Sequence, residues 1–225
     1  MRPSAVLFDF GGTLDADGLR WSVRVHSAYR AAGGALDFEE FEPLFRQSDR
    51  RLESLPGIRG MGLMDMARAQ AGILKQLVVD GPAIDVERTA SVFCAESVAA
   101  ARRNRPVLAQ LAAQVPLGVV SNFTGNLEHC LAELELKEFF RVMLDSALVG
   151  ASKPSPEIFR MALARLGMPA EGVWMVGDNF DADIRPAAAL GLSTCWLAPG
   201  DRPEPEPGLS TARIASLTDL STVIG

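Results

Sequence analysis

The chain has 225 residues, with 22 Lys plus Arg against 28 Asp plus Glu and a formal net charge of −6. That length supports one or two domains with a substantial core, and an acidic balance without a basic tract argues against nucleic acid as a partner. No apolar run reaches membrane-spanning length, and the amino terminus enters a strand too soon to hold a cleavable signal, so a soluble, cytoplasmic protein with no membrane partner is expected.

Ala5-Val6-Leu7-Phe8 is an apolar run of strand length that leads into Asp9. Four helical stripes follow. Trp21, Val25, Ala28 and Ala32 form one; Phe38, Phe41, Phe45, Leu52 and Leu55 a second; Leu63, Ala67, Ala71, Leu74 and Val78 a third; the stretch 86–101 supplies the fourth. With no alternating strand pattern between them, they predict a small helical bundle inserted into another domain. From Val107 onward helices and strands alternate, the mark of a parallel sheet with crossover helices. Val107 to Val115 has helical spacing, Leu117–Val120 reads as a strand, Leu127, Leu131 and Leu134 mark a helix, and Val142–Leu144 a short strand. Ser155-Pro156 starts a helix, with serine as cap and proline at the first helical position. Val173–Val176 and Thr194–Leu197 read as strands, residues 200–208 as an exposed Pro- and Glu-rich loop, and 213–224 as a last short strand and helix. Cys94, Cys130 and Cys195 are odd in number and widely spaced, so reduced, packed thiols are expected rather than a disulfide or zinc framework.

Three of the strands end in polar residues. Asp9 opens Asp9-Phe10-Gly11-Gly12-Thr13-Leu14, Ser121-Asn122 follows the second, and Gly177-Asp178-Asn179-Phe180-Asp181-Ala182-Asp183 follows another. Lys153, one of only three lysines beside Lys75 and Lys137, lies in between, in Lys153-Pro154-Ser155-Pro156-Glu157. In a parallel sheet the carboxyl ends of the strands share one rim, and ligands bind there. A carboxylate, a hydroxyl, an ammonium and an acidic cluster would converge at that rim, a set able to hold Mg²⁺ and to attack a phosphoryl group. Asp9 is the candidate nucleophile and a metal ligand. Gly12 and Thr13 suit a backbone turn that brings amides to an anion. Ser121 can donate to a phosphoryl oxygen, Asn122 can add its amide, and Lys153 can offset charge on Asp9 and the phosphoryl group. Asp178 is the candidate direct Mg²⁺ ligand, since magnesium prefers oxygen donors; Asp181 reads as a helix-start cap.

In order and spacing these motifs resemble the haloacid dehalogenase-like hydrolases. The resemblance implies an α/β, Rossmann-like parallel-sheet core of residues 1–16 and 105–225 and a helical cap of residues 17–104. It also implies a Mg²⁺-dependent phosphatase of a small organic phosphate, acting through an aspartyl-phosphate as a monomer or homodimer. By the same resemblance Asp183 is the second acid of its motif, and the Gly11 carbonyl is a metal ligand. One position departs from the pattern: where the family usually carries a second aspartate that protonates the leaving group, this chain has Gly11. Metal binding should survive that change while acid assistance is lost, and Asp15, Asp17 and His26 are possible replacements. The same departure leaves three alternatives: a dehalogenase, a phosphonate hydrolase using Lys75 as the imine-forming cap lysine, or a non-catalytic protein on this fold. Arg20, Arg24, Arg30 and Arg59 could bind a second anionic group of a substrate.

Overall fold

The computed structural model describes residues 3–79, 84–198, 200 and 202–224. Six strands form one parallel sheet: β1 (Ala5–Phe8), β2 (Leu117–Ser121), β3 (Phe140–Asp145), β4 (Val173–Gly177), β5 (Ser193–Leu197) and β6 (Ala212–Ile214), in the order β3-β2-β1-β4-β5-β6. β1 is buried throughout, and its side chains alternate between faces as the pleat requires. Val6 and Phe8 join the cluster containing Leu108, Leu111, Leu127 and Leu131, whereas Ala5 and Leu7 pack with Ile158, Phe159 and Ala162. Helices therefore cover both faces, as an all-parallel sheet demands. The strand order reverses between β1 and β4, so the crevice beyond their carboxyl ends is where a doubly wound fold binds its ligand.

Among the described residues of 17–104, all regular structure is helical. The cap helices are α1 (Trp21–Ala31), α2 (Phe38–Glu53), α3 (Leu63–Leu77) and α4 (Val86–Ala112). A reciprocal capping box starts α2: Asp37 Oδ1 accepts from Glu40 N at 2.9 Å while Asp37 N donates to Glu40 Oε2 at 3.2 Å. The boundary expected at 104/105 falls inside α4, which runs on without a break through Pro106. The polypeptide thus passes from the cap to the strand β2 along one continuous helical rod. The remaining helices are α5 (Leu127–Glu133), α6 (Ser146–Val149), α7 (Pro156–Leu166), α8 (Arg185–Ala189) and α9 (Leu220–Val223). Ser155 caps α7 with Pro156 at its first position, as the sequence predicts, and Gly167 ends it in the left-handed region at φ 70°. In the loop 200–208 the described positions are exposed except for the half-buried Glu204; residue 201 lies outside the described residues. The three cysteines are free and buried, and burial pushes the Cys94 and Cys195 thiols up to about 12. Among the described residues no helix is long and apolar enough to cross a membrane.

Candidate active site

β1 and β4 are each followed by a wide turn, Phe10–Leu14, whose backbone leaves helical angles at Gly11 and Gly12, and the helical Phe180–Ile184. Such turns are uncommon and recur at functional sites. They set Asp9 and the Asp178–Asp183 segment beside each other at the switch point. Carboxylate oxygens of Asp9, Asp178 and Asp183 lie within 4.8 Å of one another. Lys153, brought in by the loop between α6 and α7, is buried and donates through Nζ to Asp9 Oδ1 and Asp183 Oδ1, both at 2.6 Å. Burial alone would push Lys153 down, but attraction to Asp183 and Asp9 outweighs it and holds the ammonium above its ordinary value. Asp178 is raised chiefly by burial, then by repulsion from Asp9 and Asp183. Burial also raises Asp183, against the pull of Lys153 and with Asp9 adding to the rise.

The two acids of the β4 loop are held differently. Both oxygens of Asp183 are engaged, Oδ1 by Lys153 and Oδ2 by Asn179 N at 3.1 Å. Asp183 therefore faces the lysine, and Gly177 lies so close beneath it that a Cβ there would stand 2.3 Å from its Oδ2. Asp178 Oδ1 accepts from Thr13 Oγ1 at 3.2 Å, and Asp178 borders the cavity. Gly12, at φ 90°, closes against Asp178, where a Cβ would sit 2.8 Å from either carboxylate oxygen. Its amide donates to Asp15 Oδ1 at 2.8 Å, so Gly12 and Thr13 shape the turn and steady Asp178; neither lines the cavity. Asp181 pairs with Arg185 at the surface, and the helix-start cap is Asn179, whose Oδ1 accepts from Ala182 N at 3.1 Å.

A cavity of about 310 Å³ opens above this cluster, lined on the core side by Asp9, Gly11, Ser121, Asn122, Lys153 and Asp178. That volume lies at the lower end of small-ligand sites. Ser121 is the last residue of β2 and is buried at the rim. Asn122 does something its sequence position did not suggest. Its side chain clamps the Lys153 backbone, Nδ2 donating to Lys153 O and Oδ1 accepting from Lys153 N, each at 2.8 Å. Asp145, at the end of β3, was also missed. It accepts from Gly125 N at 2.8 Å and Leu127 N at 3.1 Å, fixing the loop that follows Ser121.

The three residues offered as replacement acids are all engaged elsewhere. Asp15 is fully buried and accepts from Gly12 N, from Trp21 Nε1 at 2.9 Å and from Arg24 Nη1 at 2.6 Å. Asp17 pairs with Arg103 and accepts from Ser216 Oγ and Leu217 N. His26 bonds Leu36 O and packs among Tyr29, Phe38 and Phe41. None lines the cavity, and neither does Lys75, which is exposed near the end of α3. Of the four arginines only Arg20 borders it. Arg24 is locked to Asp15 and Ser97, Arg30 to the backbone of Ala35 and Leu36, and Arg59 packs at Gly125. The Trp21 indole fills the space beside Gly11, with Nε1 3.1 Å from where a Cβ would stand.

The model of the haloacid dehalogenase-like hydrolases matches residues 3–191, and the chain belongs to that family of hydrolases. It is 34% identical to the pyrimidine 5'-nucleotidase YjjG of Escherichia coli (strain K12), over 48% of this chain and only 49% of that protein. It is 28% identical to the 5-amino-6-(5-phospho-D-ribitylamino)uracil phosphatase YigB of the same strain, over 97% of this chain and 96% of that one. Among solved structures it resembles the L-2-haloacid dehalogenase of Xanthobacter autotrophicus, at a TM-score of 0.61 and 19% identity over 100% of this chain and 98% of that chain, a likeness of fold.

Proposed function

We propose that the protein is a Mg²⁺-dependent phosphatase of a small phosphorylated metabolite, acting through an aspartyl-phosphate on Asp9. The observation that carries this reading is the cluster itself, three buried carboxylates sharing one lysine. All ionised, they exceed the lysine by two charges, and a divalent cation with a preference for oxygen donors answers that excess. Asp9 and Asp178 would hold it, with Asp183 acting from behind Lys153 and the Gly11 carbonyl contributing as the family resemblance implies. When bound, Mg²⁺ supplies positive charge against the phosphoryl oxygens.

Lys153 holds Asp9 Oδ1, and Oδ2, which has no hydrogen-bond donor among the described residues, is the oxygen that attacks phosphorus. Ser121 donates to a phosphoryl oxygen, and Lys153 balances the charge that accumulates as the bond forms. Water then hydrolyses the aspartyl-phosphate and frees Asp9. The cap faces the site with the apolar Trp21, Phe45, Leu52 and Met66 beside the charged Arg20, Asp49 and Glu53. The phosphatase activity of YigB, the relative matched along its length, supports the same reading.

Phosphate release from p-nitrophenyl phosphate, with Mg²⁺ and with EDTA, tests it. Release that needs both Mg²⁺ and Asp9 is expected, and full activity in Asp9→Asn would remove the nucleophile from the mechanism. Gly11 favours one rival, since a dehalogenase needs no acid there. Chloride release from a 2-chloro acid, undiminished in EDTA, would establish that reading instead.

A further inference from the structure

We propose that Asp49, on the cap helix α2, supplies the leaving-group proton that Gly11 cannot, an inference that rests on the phosphatase reading above. The need is set by the site. Gly11 has no carboxyl, the Trp21 indole occupies the space beside it, and Asp15, Asp17 and His26 are engaged elsewhere. The position is set by the helix. Phe45, Asp49, Leu52 and Glu53 lie on one stripe of α2 and line the same cavity as Asp9 and Gly11.

The surroundings of Asp49 suit a proton donor better than a cation-binding carboxylate. Among the described residues no ion pair involves it or Glu53, and its one side-chain hydrogen bond is a long contact of 3.5 Å from Gln70 Nε2 on α3. Burial foremost, then the charge of Glu53, pushes the Asp49 carboxyl up to about 6, while Arg50 pulls the other way. Arg20 at the start of α1 and the Asp9, Asp178, Asp183 and Lys153 group share the cavity and complete its charged surroundings. Glu53, on the same stripe, is exposed.

The step balances without another reactant. Asp9 Oδ2 forms its bond to phosphorus as the phosphorus–oxygen bond to the leaving group breaks. That bond's electron pair stays on the leaving oxygen, which takes the Asp49 proton and departs as an alcohol. Asp49, now a carboxylate, accepts a proton from the water that attacks the aspartyl-phosphate, and the acid is restored as phosphate forms.

The test compares single-turnover phosphate release from glycerol phosphate, a poor leaving group, with p-nitrophenyl phosphate, a good one, in wild type, Asp49→Asn and Asp49→Glu. Asp49→Asn should lower the alkyl-to-aryl rate ratio by ~10²–10⁴-fold, the range of general acid catalysis, and Asp49→Glu should restore part of it. The wild-type rate on glycerol phosphate should fall as pH rises through the Asp49 range, and that limb should vanish in Asp49→Asn. An unchanged ratio with the limb intact overturns the proposal, as does equal loss on both esters, which would make Asp49 a structural residue. If wild type shows no Asp9-dependent release from either ester, the phosphatase reading itself fails, a result distinct from both.

Discussion

Lys153 stands between two carboxylates that would otherwise repel each other, and it is held there by the Asn122 clamp on its backbone. Removing one partner from a buried ionic group leaves uncompensated charge, at a cost of about 3–5 kcal/mol. Lys153→Met should therefore abolish turnover and lower stability by that order, with the loss easing at acid pH as Asp183 takes up a proton. Chemical denaturation at pH 5 and pH 8 measures both. Gly11 invites the opposite experiment. Its backbone, at φ −72°, suits any residue, so the obstacle to Gly11→Asp is the Trp21 side chain and not backbone strain. With the indole held by Asp15, the substitution alone should fail to accelerate alkyl phosphate cleavage. A rise in the glycerol phosphate rate would show that the ring yields.

At the scale of elements, α4 is one helix from Val86 to Ala112. Proline in a helix interior removes a hydrogen bond and crowds the preceding turn, at about 3 kcal/mol relative to alanine. Pro106→Ala should accordingly raise the melting temperature, which thermal unfolding measures. The sequence conveyed most elements here, because the apolar runs before Asp9, Ser121 and Asp178 and the stripes on α1 to α3 carry their periodicity locally. It did not convey the unbroken α4, since Asn104-Arg105-Pro106 reads as a break and only packing carries the helix through. Asn104 is buried at that point and donates to Leu14 O at 3.2 Å, tying the rod to the end of the first turn. Asp49 was overlooked for a related reason. It lies four residues after Phe45 and three before Leu52 on the apolar face, and a polar residue in such a stripe is the legible sign of a lined cavity. Asn122 pairs with the distant Lys153 and Asp15 with Arg24 of the next helix, and no local pattern encodes either.

Across the whole molecule, the acidic cluster couples metal, pH and stability. Asp178 and Asp183 are raised in the folded state, so the folded chain holds protons there that the unfolded chain has already released. Stability then falls as pH rises through that interval, because the folded state binds more protons than the unfolded one. Lys153 acts in the same direction but only at alkaline pH: its raised value keeps its contribution intact until pH exceeds the ordinary lysine range, above which stability falls again. In EDTA the melting temperature should decline between pH 5 and pH 8. Mg²⁺ should restore it most at pH 8, where the carboxylates are ionised and the cation replaces their protons. Calorimetry at several pH values, with and without Mg²⁺, decides this, and a metal effect independent of pH would count against the cluster as the site.

The indole that crowds Gly11 also makes the protein able to report on itself by light. Trp21 lines the cavity and meets Phe10, Phe93 and Phe123 edge-on, with ring centroids 5.1 to 6.2 Å apart. Of the other two tryptophans, Trp196 in β5 packs against Phe180 and donates through Nε1 to Asp178 O at 3.0 Å, whereas Trp174 lies within β4 and does not line the cavity. A phosphate analogue entering the cavity changes the polarity around Trp21 most directly and leaves Trp174 as an internal reference. Its arrival is readable as a shift in ultraviolet emission, without a label or a coupled assay. Trp21→Phe should silence that signal while Trp174→Phe preserves it.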